Sequence, residues 1–319
     1  MNIMPIKSRL LCLAAAVVSA AALLAVQLSA QSLVTGYWQT LGDQDSHNYA
    51  GGPDPGEFPG LPITDAARKA AATYDENEMM IAELQCRPFP ATYGPRTLST
   101  MGMWETLDPD SQRQTKIEMR MSFAAQHRTI WMPDSGRPRP PVWAPHSWQG
   151  FSTGKWAGDE LWVHTSHLKE GFLQRTQGLL LSDKAEMDER LFRYGDILVN
   201  IMMISDPAYL SQPFVYSKLY VRLPQGAMDP YPCQAYNHVP MPEGHVPMRL
   251  PFVTHIYNQG FMSHGIPLEA ARGGEQTMFP EYQDYMKKLP PNPPLEEILA
   301  EGAKQRQRQD AIREQSTGR

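Results

Sequence analysis

Apolar and polar residues alternate with a period of two through much of the stretch 96–224. Glu160 to Leu168 sets Leu161, Val163, Thr165 and His167 on one face and Trp162, His164, Ser166 and Leu168 on the other, which predicts a strand. Just before it, Gly154-Lys155-Trp156 runs into Ala157-Gly158-Asp159, where Gly158 suits a positive φ and Asp159 suits a turn, so the flanking segments are predicted to pair as a hairpin. A second hairpin is predicted from Glu186 to Arg193, through Tyr194-Gly195-Asp196, into Ile197 to Ile204. Its second arm is apolar on nearly both faces, the pattern of a central strand. Asp206-Pro207 stops that arm, because proline lacks a ladder donor and restricts the residue before it. Phe214 to Leu223, Leu98 to Leu107, Lys116 to Phe123 and His127 to Met132 supply the remaining strands. About eight strands suffice to close a barrel. The expected fold is mostly β: an antiparallel up-and-down barrel or strongly curved sheet, lipocalin-like in architecture, with irregular N- and C-terminal extensions and a few short helices.

The ends read differently. Residues 1–30 have a short basic start with Lys7 and Arg9 and an apolar run to Leu28, a secretory signal pattern in which large Leu28 also leaves an uncleaved anchor open. Cys12 lies early in that run, against a lipoprotein anchor. No second long apolar run follows, so no membrane span is expected after signal removal. Residues 31–95 form an irregular wrapping arm, rich in Gly, Pro and Asp, with one short helix predicted after Thr64. Residues 225–290 are a proline-rich extension with a helix expected over Phe252 to His264, and residues 291–319 are a charged tail expected to form a frayed helix.

The run Gly150-Phe151-Ser152-Thr153-Gly154-Lys155-Trp156-Ala157-Gly158-Asp159-Glu160-Leu161, with Thr165-Ser166-His167-Leu168-Lys169, Ser182-Asp183 and Asp206-Pro207-Ala208-Tyr209-Leu210, resembles a large and mostly uncharacterised family of exported bacterial proteins that carries a GxSxGxWEGDxLxV block. The likeness extends to Gln85-Cys86-Arg87-Pro88 and to Gly273 through Tyr282. It implies export, to the periplasm or beyond, and no particular reaction. One departure is Ala157, where the family usually has an acidic residue before the turn glycine.

Composition narrows the partners. The net charge is −5 without a basic stripe, which argues against nucleic acid. Outside the leader only Cys86 and Cys233 remain, a pair expected to form a disulfide in an oxidising compartment.

Candidate chemistry centres on histidine. His164 and His167, three apart on a strand, face opposite ways and are not expected to share a metal; no metal or cofactor is expected. His167, on the face of Leu161 and Val163, is the candidate acid–base residue, with Asp183 as orienting carboxylate, Arg175 as anion holder and His146 joining them at the barrel mouth. The bland alternative is a histidine hydrogen-bonded in the wall. Trp148, Trp156 and Trp162, with Glu170, are candidate ligand contacts in a barrel pocket, although such tryptophans also seal barrels. Gly150 to Gly154 matches a nucleophile elbow, but it leads into a hairpin rather than a helix, so Ser152 is not expected to be a nucleophile. Met101, Met103, Met119 and Met121 read as core packing rather than as copper ligands. The expected function is binding of a small apolar or aromatic ligand in the barrel. An acid–base hydrolase, lyase or isomerase centred on His167 and a cell-envelope interaction protein are the alternatives.

Overall fold

The computed structural model describes residues 34–41, 56–72, 86, 88–97, 99–137, 139–141, 143–175, 177–226, 228, 231 and 265–317. The expected leader (1–30), Cys233 and the helix expected over Phe252 to His264 lie outside the described residues.

Eleven strands are described: β1 (Gly36–Thr40), β2 (Thr100–Leu107), β3 (Gln114–Met121), β4 (Gln126–Trp131), β5 (Phe151–Ala157), β6 (Glu160–Ser166), β7 (Gly171–Gln174), β8 (Leu179–Leu181), β9 (Glu186–Tyr194), β10 (Ile197–Ser205) and β11 (Phe214–Arg222). Nine of them close into a barrel in the order β1-β11-β10-β9-β6-β5-β4-β3-β2, and β7-β8 form a separate hairpin. The expected mostly β barrel is therefore present. Both expected hairpins form over two-residue turns, with Gly158 at φ 64° and Gly195 at φ 60°. The two glycines take the left-handed conformation such turns require.

Three differences have physical causes. A ring with an odd number of strands cannot alternate direction throughout, and β4 and β5 accordingly run parallel, joined only at Ile130↔Ser152 and Trp131↔Thr153. The ninth strand, β1, lies in the stretch read as an irregular arm; flanking Gly, Pro and Asp obscure a five-residue strand that gains its partners β2 and β11 from far along the chain. Finally, β6 ends at Ser166 rather than Leu168, because His167 has a left-handed backbone with φ 56°.

Helix α1 (Asp65–Ala72) forms as its residues predict, and the Ala67 N–H donates to the capping Thr64 Oγ1 at 3.3 Å. Helices α2 (Leu268–Ala271) and α3 (Pro280–Met286) pack beside the 56–64 segment, where Phe58 N–H donates to Ala271 O (2.8 Å) and Gly60 N–H to Thr277 Oγ1 (2.7 Å). Helix α4 (Leu295–Thr317) spans the tail read as a frayed helix. Among the described residues no helix is long and apolar enough to cross a membrane.

The barrel interior is layered. One apolar cluster gathers Trp38, Met101, Met103, Ile117, Met119, Met121, Leu161, Leu191, Leu198 and Tyr220. The four methionines from β2 and β3 are thus core. A second cluster holds Leu168, Leu173, Leu179, Leu181, Met187, Met202 and Ile204, with Ala67 and Ala71 of α1. Between the two, inward positions on β4, β9 and β10 carry Arg128, Glu189 and Asn200, of which Arg128 is 3% and Glu189 1% exposed. The Arg128 guanidinium donates to both Glu189 oxygens (2.6 and 3.1 Å), and Asn200 Nδ2 donates to Glu189 at 3.0 Å.

Such a pair has a testable signature. Glu189→Leu strands the Arg128 charge in the core, and the expected loss in urea unfolding is about 3–5 kcal/mol. Glu189→Leu combined with Arg128→Met is expected to recover most of that loss, because neither charge of the pair is left without the other.

Candidate functional site

Large inward side chains occupy the barrel interior. Trp38 and Tyr220 are fully buried there, with Trp38 Nε1 donating to Val34 O (2.9 Å) and Tyr220 Oη to Pro95 O (2.6 Å). Ser152, 1% exposed, shares a hydrogen bond with Thr165 Oγ1 across β5 and β6 (2.8 Å), as an inward pair of an antiparallel ladder does.

A groove lies on the outside wall. Strand registers line up two outward rows: Lys155, Trp162 and Arg190 in one, and Trp131, Thr153, His164, Asp188 and Met203 in the other. Together with Pro133 they line a groove of about 610 Å³. Trp162 and Met203 are 39% and 40% exposed, large apolar groups left open to solvent. Trp162 lies between two cations, with Arg190 Cζ 4.7 Å and Lys155 Nζ 5.5 Å from its ring centroid. Glu160 orients this stack, accepting from Trp162 Nε1 (2.9 Å) and from Arg190 Nη2 (2.7 Å). Those two hydrogen bonds, Trp162 first, hold the Glu160 carboxyl below the usual carboxylate range. In the second row His164 Nδ1 lies 2.9 Å from Asp188 Oδ1.

The sequence-predicted residues separate into several places. Trp162 lies in the groove, whereas Trp156 takes the opposite parity on β5, packs on the interior cluster and donates to Gln114 Oε1 at 2.7 Å. Half-buried Trp148 carries Lys169 Nζ 5.5 Å from its ring. These three tryptophans therefore do not share one pocket. Glu170 is exposed near Tyr209, whose hydroxyl is pushed up by burial and then by the Glu170 charge.

His167 does not point into the barrel with Leu161 and Val163. Its left-handed backbone breaks the alternation and turns the ring toward His146, with ring centroids 5.3 Å apart. Ser166 Oγ lies 3.0 Å from His167 Nδ1, and His146 Nδ1 donates to Leu168 O at 2.8 Å. Of the residues grouped with His167, only His146 meets it. Exposed Asp183 sits in the turn after β8, whose neighbour Ser182 donates through N–H and Oγ to buried Asp206 (2.6 and 2.7 Å). The Arg175 guanidinium lies 5.9 Å from the Phe89 ring centroid.

The residues that sequence reasoning passed over are Lys155, Arg190 and Met203. Their signal was outward parity beside Trp162 on neighbouring strands, visible only once the register is known.

Because Glu160 stays ionised below the usual carboxylate range, its hold on Trp162 persists as pH falls through that range and is lost only below it. The emission difference between the native protein and Trp162→Phe is expected to persist where an ordinary glutamate, with a pKa of about 4.3, is already half protonated, and to shift on further acidification. Glu160→Ala is expected to show the shifted emission already at neutral pH.

Compared with family models, curated proteins and solved structures, the chain finds no match, and its site is read from its own geometry.

Proposed function

We propose that this is an exported, periplasmic or extracellular, binding protein for a small apolar or aromatic molecule with an acidic group, held in the groove on the barrel wall. The observation that carries the reading is the exposed Trp162 ring set between Lys155 and Arg190 beside open Met203. A flat apolar ligand covers Trp162 and Met203, and an acidic substituent reaches Lys155 or Arg190. The interior offers less to a ligand, since Trp38, Tyr220 and the methionines occupy it. Export rests on the leader pattern and on the family resemblance.

An aromatic sulfonate, 1-anilinonaphthalene-8-sulfonate, is a suitable probe. Saturable binding is expected, weakened about tenfold, or roughly 1.4 kcal/mol, by Trp162→Ala and by Arg190→Glu. Met103→Leu, an interior change, is expected to leave the affinity within twofold. The opposite pattern would move the ligand into the barrel.

Within the same reading, Cys86 and Cys233 form a disulfide that ties the N-terminal arm to the segment after β11. Cys86, a bonded cysteine rather than a free thiol, supports it. Alkylation of the denatured, unreduced protein is expected to label neither cysteine, and labelling of both would refute the bond.

A further inference from the structure

The His146–His167 pair lies beyond the end of β6, apart from the groove, and ligand binding at the groove makes no use of it. Two main-chain hydrogen bonds fix the pair. Ser147 N–H donates to His167 O (3.0 Å) and Lys169 N–H donates to Ser147 O (2.9 Å), which together make a parallel bridge between Ser147 and Leu168. The loop carrying His146 is thereby fastened to the turn that carries His167.

The His146 tautomer follows from its partner. A carbonyl oxygen only accepts, so the neutral His146 ring that meets Leu168 O carries its proton on Nδ1, and Nε2 keeps its lone pair. On His167, Nδ1 meets the Ser166 hydroxyl, which can donate or accept; where Oγ accepts, His167 has the same tautomer as His146. A histidine whose Nδ1–H is held by an oxygen and whose Nε2 is open is the arrangement found in metal-ligating histidines.

The spacing fits as well. With a metal–nitrogen bond of about 2.0–2.1 Å and roughly 1.1 Å from nitrogen to ring centre, each centroid stands about 3.1–3.2 Å from a bound ion. With a nitrogen of each ring turned to the ion, centroids 5.3 Å apart subtend roughly 112–117°, near the tetrahedral angle. Among the described residues no group of three or more His, Cys, Asp or Glu side chains could hold a metal ion. The described residues supply two imidazole rings to the site.

We propose that His146 and His167 form an open two-histidine site for a divalent late transition-metal ion of the Cu²⁺ or Zn²⁺ class, which neutral imidazole suits. The left-handed turn at His167 has a purpose on this view: it carries the ring out of the strand's alternation to the side where His146 stands.

The test is Cu²⁺ titration of the full chain, read by calorimetry and by electron paramagnetic resonance. One equivalent is expected to bind with hyperfine structure from two nitrogens, and Zn²⁺ is expected to compete. His146→Ala and His167→Asn are each expected to weaken that equivalent at least tenfold; asparagine tolerates the left-handed backbone. His164→Ala, which removes the histidine paired with Asp188, is expected to leave it unchanged. The proposal is overturned if no equivalent binds, if affinity falls only in His164→Ala, or if His146→Ala binds as the native protein does. Should His167→Asn lose its native circular dichroism, His146→Ala, on an exposed loop, decides alone.

Discussion

Glu189 carries a carboxylate into the middle of the barrel, and much of the surrounding architecture follows from the need to satisfy that charge. A buried carboxylate is tolerable only with a well-placed cation and further donors. Arg128 and Asn200 provide them. Arg128 sits on β4 and Glu189 on β9, strands separated in the sheet by β5 and β6, so their bond crosses the interior as a strut. The strut spans the parallel seam, where β4 and β5 share only two register pairs. It holds in place, through the lumen, two parts of the wall that the ladder joins weakly.

The barrel's inward positions are taken by packed side chains. Each residue pointing in is answered by neighbours pointing out, and around Trp162 those neighbours are cations and an uncovered methionine. Glu160 acts there by orientation, since it fixes both the indole and the guanidinium stacked on it. The His146–His167 pair owes its geometry to a different device, a single backbone inversion at the end of β6.

The long alternating strands and both tight hairpins were legible because each carries its own period and its own turn residues. Thr64 likewise announced α1. What depended on partners distant in the chain was not: β1 is too short to show a pattern, and β7 and β8, in Gly171–Gln174 and Leu179–Leu181, are apolar fragments that read as loop. The site was partly legible. His146 with His167 was anticipated, but by alternation, which places His167 inside; the left-handed φ that turns it out leaves no trace in residue type beyond histidine's tolerance of that region. Asp183 and Arg175 were grouped by closeness in the chain, and the β7-β8 hairpin that separates them follows its own packing.

The placement of β1 bears on how the chain reaches its native state. The strand seals the ring by pairing with β2 on one side and with β11, near residue 220, on the other. Closure therefore waits for the last strand, and until then β2 and β11 are bare edges able to pair with a second chain. Folding that begins only once the whole chain is available would keep those edges apart until β1 and β11 can meet.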